Sequence, residues 1–296
     1  MTSPLMRVTA RIARALPQGA RDSLYRLGPL SNVIRSMLTR AAPDKIVPVE
    51  VAAGPLAGMQ LQLDLRREKD LWLGTYEPAL LQAIQDWVKP GMSVYDVGAN
   101  IGYVSLALAK AVGKAGQVVA FEPLPENLDR LRANMALNSA GSRVQVVGSA
   151  VGARAAQEPF MRHASGGMGK LQTSKGRQTE YEGTLTVDVI ALDDWIKDRE
   201  SRPPELIKID VEGGEGAVLE GLLDTLVNNH PTLLIELHGP EATADIRQTL
   251  ASTGYTLHAM DKGYPELGKI TAWKSYAVAL PTEEGTTSGG QGPGDA

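Results

Sequence analysis

The stretch VYDVGANIGYVSLALAK, from Val94 to Lys110, joins a short apolar run to an apolar helix through a turn rich in glycine. Asp96 lies near the end of the strand pattern, and Gly98, Asn100 and Gly102 form the turn. In an open parallel sheet, ligands bind beyond the carboxyl ends of the strands, where such turns lie. The stretch therefore predicts an α/β fold with a ligand site at this turn.

The same alternation of strand and helix patterns continues along most of the chain, and it requires right-handed crossovers and a parallel sheet. We expect about seven strands with helices on both faces. Residues 162–183, rich in Gly, Ser, Thr and Lys, show no periodicity and predict a long loop. The predicted elements are strands at 92–97, 117–121, 143–150, 205–211, 232–237, near 255–259 and near 275–280, and helices at 101–112, 125–138, 215–227 and 241–253.

The composition is typical of a globular protein and excludes several kinds of site. With 296 residues, 43% of them hydrophobic, the chain can bury a full core. It contains no cysteine, which excludes disulfides, thiolate zinc sites and cysteine nucleophiles, and we expect a reducing compartment, the cytoplasm. No apolar run approaches the roughly 18 residues that a membrane-spanning helix needs.

Residues 1–45 are basic, with seven arginines and Lys45 against Asp22 and Asp44, and their apolar residues recur at helical spacing. We interpret them as an amphipathic helical extension packed on the main domain or on a second subunit of a homodimer. The alternatives are peripheral contact with an anionic membrane or a lipid-linked acceptor, and an organellar targeting peptide. The main domain is expected over 46–281 and opens with a β-hairpin at 46–65, whereas 282–296 predict a disordered tail.

The spacing Gly98-x-Asn100-x-Gly102 differs from the G-x-G-x-x-G pattern, in which the backbone approaches a pyrophosphate. Asp96 and Asn100 offer acceptors and donors that suit a ligand with an ammonium and a carboxylate, such as S-adenosylmethionine. Glu122 follows the next predicted strand, where an acid pairs with the ribose hydroxyls of an adenosine. The structural alternative is a tight turn whose following acid stabilises a helix N-terminus.

Five segments together resemble the FkbM family of S-adenosylmethionine-dependent methyltransferases, over roughly residues 72–260. They are VYDVGANIGYVSLALAK, FEPLPENLDRLRANMALN, LDDW, IKIDVEGGEGAVLEG and LLIELH. The resemblance implies a class I methyltransferase fold, which is Rossmann-like, with strand order 3-2-1-4-5-7-6 and an antiparallel last strand. It also implies methyl transfer to a hydroxyl of a sugar, polyketide or similar natural product.

The resemblance further implies a set of residues around the methyl donor. Tyr76 and Glu77 match a recurrent YEP pattern of the family and are expected to line the donor pocket, with plain packing as the alternative. The other implied donor residues are Asp96, Gly98, Asn100 and Gly102 for the methionine part, Glu122 for the ribose, and Pro123, Ser149 and Ala150 for the adenine.

Charged residues interrupt two predicted central strands, which should be nearly apolar because both of their faces are covered. They are Lys208, Asp210 and Glu212 in IKIDVEG, and Glu236 and His238 in LIELH. Burying such charges is costly unless they are paired, so we interpret them as candidates for catalysis. The base for an acceptor hydroxyl is then His238, or else Asp210 or Glu212, or there is no dedicated base. Lys208 polarises the acceptor or pairs with a carboxylate.

Three of these residues, Asp210, Glu236 and His238, also form a candidate site for a divalent cation, whose hard oxygen ligands would suit magnesium or calcium. Neutralisation by basic neighbours is the alternative, and we expect no metal. Glu215 and Glu236 are candidate ligands of the acceptor. For Glu215 the simplest alternative is a favourable charge at a helix N-terminus.

These observations predict an S-adenosylmethionine-dependent O-methyltransferase for a hydroxyl of a small molecule, glycan, glycolipid or secondary metabolite. A nucleotide-binding oxidoreductase is the first alternative, disfavoured because the pyrophosphate pattern is missing. A non-catalytic S-adenosylmethionine-binding protein is the second, disfavoured by the charged strands. We expect no nucleic-acid substrate, because the isoelectric point is about 5.7 and the main domain has no basic run.

Overall fold

The structure, a computed structural model, describes residues 39–40, 42–163, 167–175, 181–270 and 272–282. The helices predicted within residues 1–45 and the tail predicted from residue 282 onward fall almost wholly outside these ranges. In the described part of the chain, no helix combines the length and the apolar character that crossing a bilayer requires.

The described elements alternate between strands and helices for most of the chain. In chain order they are β1 (Val47–Glu50), β2 (Gln60–Leu63), α1 (Lys69–Leu73), α2 (Pro78–Trp87), β3 (Ser93–Val97), α3 (Tyr103–Val112), β4 (Gln117–Phe121), α4 (Pro125–Leu137), β5 (Val144–Val147), β6 (Ala150–Val151), β7 (Ala156–His163), β8 (Gly169–Leu171), β9 (Tyr181–Ile190), α5 (Leu192–Asp198), β10 (Leu206–Ile209), α6 (Glu215–Glu220), α7 (Leu223–Asn229), β11 (Thr232–His238), α8 (Pro240–Ser252), β12 (Tyr255–Ala259) and β13 (Lys274–Pro281).

The main sheet has seven strands in the order β12-β13-β11-β10-β3-β4-β5, in which only β13 runs antiparallel to its neighbours. Renumbered by their place in this sheet, the strands have the order 3-2-1-4-5-7-6 that the resemblance implies. The predicted fold class is therefore confirmed. The predicted hairpin is present as well, since β1 pairs antiparallel with β2.

Two apolar layers cover the faces of this sheet. On one face, α2, α3 and α4 pack with the β1–β2 hairpin, and on the other the layer consists of α5 to α8. The rings of Tyr95, Phe121 and Trp195 meet in the second layer with centroids 5.3–5.9 Å apart. Because both faces are covered, β3 is buried along its whole length, which leaves only the carboxyl ends of the strands for a site.

A second sheet of four strands, in the order β6-β9-β7-β8, was not predicted, and it corrects part of the loop expected at 162–183, where β8 and the ends of β7 and β9 lie. It also shortens the strand predicted at 143–150, because β5 ends at Val147 and β6 belongs to the second sheet. Most residues of β7 are not buried, and Pro159 within it obscures the pattern of a strand, whereas Leu185, Val187 and Val189 of β9 alternate with polar residues as a strand should. The helix predicted at 215–227 is likewise divided into α6 and α7 around Gly221.

Candidate active site

A cavity of about 910 Å³ lies at the carboxyl ends of β3, β4, β10 and β11. It brings together twelve of the residues that the sequence singles out, namely Tyr76, Glu77, Gly98, Asn100, Glu122, Pro123, Ser149, Ala150, Lys208, Asp210, Glu212 and Glu236. Four others do not line it: Asp96, Gly102, Glu215 and His238. The positions of these four change the roles that they can have.

Close steric contacts shape the glycine turn after β3. Gly98 has φ +78°, and a Cβ there would lie 1.8 Å from the backbone oxygen of Asp210. Gly102 has φ +87°, and a Cβ there would lie 2.4 Å from the side chain of Leu131. Asn100 between them also has a positive φ of 50°. At Gly98 and Gly102, the residue after β10 and helix α4 come so close that the turn has no room for a side chain.

Glu122, at the end of β4, faces the same turn from the next strand. Its carboxylate accepts hydrogen bonds from the backbone N–H groups of Asn100 (2.8 Å) and Leu124 (3.0 Å) and from Asn127 Nδ2 (3.2 Å). Burial raises the pKa of Glu122 in spite of these hydrogen bonds. The carbonyl of Gly167 accepts from Asn100 Nδ2 and Asn127 Nδ2, both at 3.1 Å, so the chain before β8 lies across this end of the cavity.

Asp96 lies behind the turn and does not line the cavity, and its contact with the methionine part of the donor stays a prediction. It is fully buried, accepts a hydrogen bond from Ser105 Oγ (2.6 Å) and pairs with Lys208 Nζ (3.2 Å). Gly102 does not line the cavity either, because it packs on α4 at the start of α3, and its role beside the donor likewise stays a prediction. Both residues shape the turn from outside the cavity.

Lys208 lies between the glycine turn and Asp210, and it contacts both. The register of the sheet places it opposite Asp96 on β3. Its ammonium donates to the carbonyl of Gly98 (2.8 Å) and lies 3.7 Å from Asp210 Oδ2. Burial lowers the pKa of Lys208, but the fields of Asp96 and Asp210 outweigh it and raise the pKa above its usual value. Lys208 is therefore a buried cation, and structural pairing accounts for its contacts.

Asp210 follows β10, lines the cavity and keeps 21% of its side chain exposed. Burial raises the pKa of Asp210, Lys208 lowers it, and the carboxylates of Glu236 and Glu77 raise it again, with a result of about 7. A carboxylate with such a pKa holds or releases a proton near neutral pH. Among the three candidates for the base, this one has both the position and the proton affinity.

His238 is clamped among glutamates and does not fit the role of general base that the sequence suggests. Nδ1 lies 2.7 Å from Glu215 Oε1, and Nε2 lies 3.0 Å from Glu236 Oε1 and 3.6 Å from Glu212 Oε2. Burial lowers the pKa of His238, but the hydrogen bonds to Glu215 and Glu236 outweigh it and raise the pKa to about 11. The ring is thus an imidazolium at neutral pH, with no lone pair to accept a proton. Glu215, itself fully buried, serves as its partner.

Lys274 is a cavity residue that the sequence interpretation missed. Its ammonium lies 2.5 Å from Glu236 Oε1 and 3.2 Å from Glu77 Oε1. Burial raises the pKa of Glu236, but His238 and Lys274 outweigh it and lower that pKa. Lys274 is the first residue of β13 and is partly exposed, so a single lysine there does not indicate a functional site in the sequence. Lys274 pairs with His238 across β11 and β13, and this pairing could have identified it only if the strand order had been known.

The predicted cation site also exists as a geometric group. Ligand atoms of Asp210, Glu236 and His238 all lie within 4.8 Å of one another. Lys274 already contacts Glu236, and Lys208 lies near Asp210. A divalent cation would therefore compete with two ammonium groups and with the proton on His238.

The cavity wall carries an excess of negative charge. Nine acidic side chains line it against four basic ones, Arg67, Arg130, Lys208 and Lys274. Such a wall attracts a cationic ligand and repels a pyrophosphate. S-adenosylmethionine, with a sulfonium and an ammonium, fits this wall better than a dinucleotide does.

A family profile and several known methyltransferases match the sequence of this chain. The profile of the Methyltransferase FkbM domain matches residues 96–257. Hexuronic acid methyltransferase AglP of Haloferax volcanii is 27% identical over 189 residues, which are 64% of this chain and 70% of that protein. The 2-O-methyltransferase NoeI of Sinorhizobium fredii is 29% identical over 152 residues, which are 47% of this chain and 60% of that protein.

Methyltransferase sdnD of Sordaria araneosa is 30% identical over 155 residues, 44% of this chain and 60% of its own length. The crystal structure of methyltransferase FkbM from Methylobacillus flagellatus aligns with 85% of this chain and 59% of its own, at 18% identity and a TM-score of 0.45. The match to the family profile covers more than half of the chain. The chain belongs to the FkbM family of S-adenosylmethionine-dependent methyltransferases.

Proposed function

We infer that this protein is an O-methyltransferase that acts on a hydroxyl of a glycan, glycolipid or secondary metabolite. The observation that carries this inference is Asp210, a carboxylate on the cavity wall with a pKa of about 7. An alcohol is a poor nucleophile, so a base with this proton affinity beside the donor turn is what its methylation needs.

The residues of the donor turn fit S-adenosylmethionine, which supplies an electrophilic methyl group on a sulfonium when it is bound. Glu122 would accept hydrogen bonds from the ribose, and Pro123, Ser149 and Ala150 line the cavity where an adenine would pack. The backbone of Gly98 to Asn100 would bind the methionine part. These residues hold and orient, and they take no part in proton transfer.

Asp210 is the residue that would take the proton of the acceptor hydroxyl. Lys208 keeps the pKa of Asp210 from rising further, because the ammonium favours the carboxylate form. His238, held by Glu215 and Glu236, would position the wall opposite the donor and not exchange the proton. The names of two relatives, a hexuronic acid methyltransferase and a 2-O-methyltransferase, support a carbohydrate acceptor.

Transfer of radiolabel tests this function. The protein would be incubated with S-adenosylmethionine labelled at the methyl group and with pools of glycans, glycolipids and polyketides. The labelled product would then be treated with base, which removes methyl esters and leaves methyl ethers intact. A base-stable methyl ether is expected, and a base-labile methyl ester or an N-linked methyl group would contradict methylation of a hydroxyl.

Two rival functions make different predictions for binding. An oxidoreductase would bind NAD, whereas the negative wall predicts calorimetric binding of S-adenosylhomocysteine and none of NAD. A non-catalytic binding protein would bind the donor without transferring its methyl group. Binding of NAD alone would refute the proposed function.

A further inference from the structure

Two carboxylate oxygens at the cavity have no hydrogen-bond partner among the described residues. Glu77, at the entry to α2, and Glu236, on β11, each place Oε1 against Lys274. Their side chains are only 8% and 4% exposed. Oε2 of each is buried and has no hydrogen-bond partner in the described part of the chain. Unpaired buried carboxylate oxygens are costly, so both are prepared for a ligand that donates hydrogen bonds.

Two tyrosines supply an apolar face beside these oxygens. Tyr76 and Tyr103 both line the cavity, and their rings meet edge to face with centroids 5.6 Å apart. Burial raises the pKa of Tyr76, and the fields of Glu77, Asp210 and Glu236 together with a hydrogen bond to Glu77 raise it further, which places this side chain beside the acidic groups. The buried hydroxyl of Tyr103 has no partner among the described residues.

The combination selects a ligand by its chemistry. The two free carboxylate oxygens can accept from two O–H groups. Lys274, which also forms a hydrogen bond with Tyr276, holds the other oxygen of each glutamate in place. An apolar ring face would pack on the tyrosines. A pyranose with two neighbouring hydroxyls has all of these features. An acidic sugar fits less well, because nine acidic side chains already line the cavity against four basic ones.

We propose that an acceptor subsite, the diol subsite, binds the vicinal diol of a neutral sugar ring and presents one of its hydroxyls to Asp210. The diol subsite consists of Tyr76, Glu77, Tyr103, Glu236 and Lys274. It rests on the proposed function, since it specifies the acceptor of the same reaction. It also moves Tyr76 and Glu77 from the donor pocket, where the family pattern put them, to the acceptor.

Saturation-transfer NMR with simple glycosides tests this subsite without the natural acceptor. The probes are methyl α-L-rhamnopyranoside, methyl α-D-mannopyranoside, the 3-deoxy analogue of the second, which has no vicinal pair of hydroxyls, and the methyl glycoside of glucuronic acid. Each would be measured with the protein saturated by S-adenosylhomocysteine, whose affinity is measured separately by calorimetry. Saturation is expected for the two neutral diols and at least fivefold less for the deoxy sugar and the uronate.

The variants Glu77→Gln and Lys274→Met should lower the affinity for the neutral diols at least tenfold and change that for S-adenosylhomocysteine less than twofold. Glutamine keeps the shape of the side chain, and circular dichroism would show whether each variant is folded. Glu241→Gln is the matched control, because it removes the same charge from an exposed position outside the cavity lining. It should change neither affinity.

The results separate failure of the subsite from failure of the proposed function. If S-adenosylhomocysteine binds but no neutral diol is saturated, or if Glu77→Gln weakens S-adenosylhomocysteine and not the sugars, the diol subsite is wrong and the methyltransferase stands. Preference for the uronate would also overturn the neutral-sugar assignment. Absence of S-adenosylhomocysteine binding would instead refute the proposed function.

Discussion

The two walls of the cavity are built in different ways. The wall at β3 and β4 is shaped by backbone, with Gly98 pressed against the carbonyl of Asp210 and Glu122 accepting backbone N–H groups. The wall at β10, β11 and β13 is shaped by ion pairs around Lys208, Lys274 and His238. We call the first the backbone wall and the second the charged wall. An added side chain should disturb the backbone wall, and loss of a charge should disturb the charged wall. Substitutions should separate donor binding from methyl transfer.

The largest effect is expected on the charged wall from Asp210→Asn. The amide keeps the shape of the side chain but cannot accept the proton, so kcat should fall by roughly 10²- to 10⁴-fold. The affinity for S-adenosylhomocysteine, measured by calorimetry, should change less than twofold. Single-turnover transfer from labelled S-adenosylmethionine gives the rate. A rate within threefold of wild type would remove Asp210 from the mechanism.

On the backbone wall, Gly98→Ala should act through donor binding. Its Cβ would meet the carbonyl oxygen of Asp210 at 1.8 Å, and φ +78° is strained for alanine. Such strain costs roughly 1–3 kcal/mol, which corresponds to roughly 5- to 150-fold in donor affinity. Gly141→Ala, where a Cβ meets nothing within 4 Å, is the control and should bind normally. Equal affinities in the two variants would contradict the steric account.

The pH profile sharpens the assignment of the base. The pKa of Asp210 is raised from its ordinary 3.8 to about 7, so the residue is protonated and inactive below that pH. At saturating substrates, kcat should rise roughly tenfold per pH unit up to about pH 7 and then level off. The rate remaining in Asp210→Asn should lack this limb. A limb that persists in the variant would point to another group.

His238→Gln tests whether the imidazolium is structural. We expect kcat to fall less than about tenfold and the free energy of unfolding to fall by about 3 kcal/mol, because the buried glutamates lose a cation. The pKa of His238 is raised in the fold to about 11, so its stabilisation is complete below about pH 6.5 and is lost as pH rises through 11. The difference in stability between wild type and variant should therefore shrink toward pH 11. If turnover instead fell by two orders of magnitude or more, roughly the effect of losing a general base, His238 would be restored to that role.

The smallest effect is expected from removing divalent cations. Lys208 and Lys274 already lie near Asp210 and Glu236, so dialysis against EDTA should change the transfer rate less than twofold. Restoration of a lost rate by magnesium or calcium would contradict this expectation and assign Asp210, Glu236 and His238 as ligands.

The two walls also differ in what their sequence reveals. The turn at Gly98 and the acid at Glu122 could be predicted because each follows a strand at a fixed distance along the chain. The role of His238 could not, since its pKa depends on Glu215, which lies at the start of α6, 23 residues earlier in the chain. The second sheet was missed because β7 is mostly exposed and contains Pro159, although the alternation of Leu185, Val187 and Val189 in β9 was a signal for a strand.

The antiparallel insertion of β13 has a consequence for how acceptor choice would evolve. Lys274 begins this strand, and Glu77 precedes β3, so both lie outside the segment 96–257 that defines the family. If they select the acceptor, the two flanks can diverge while the segment that binds the donor stays under constraint. Descendants of one ancestor would then share a methyl donor and differ in the sugar they modify, and sequence similarity within the family segment would indicate a carbohydrate acceptor without identifying which sugar.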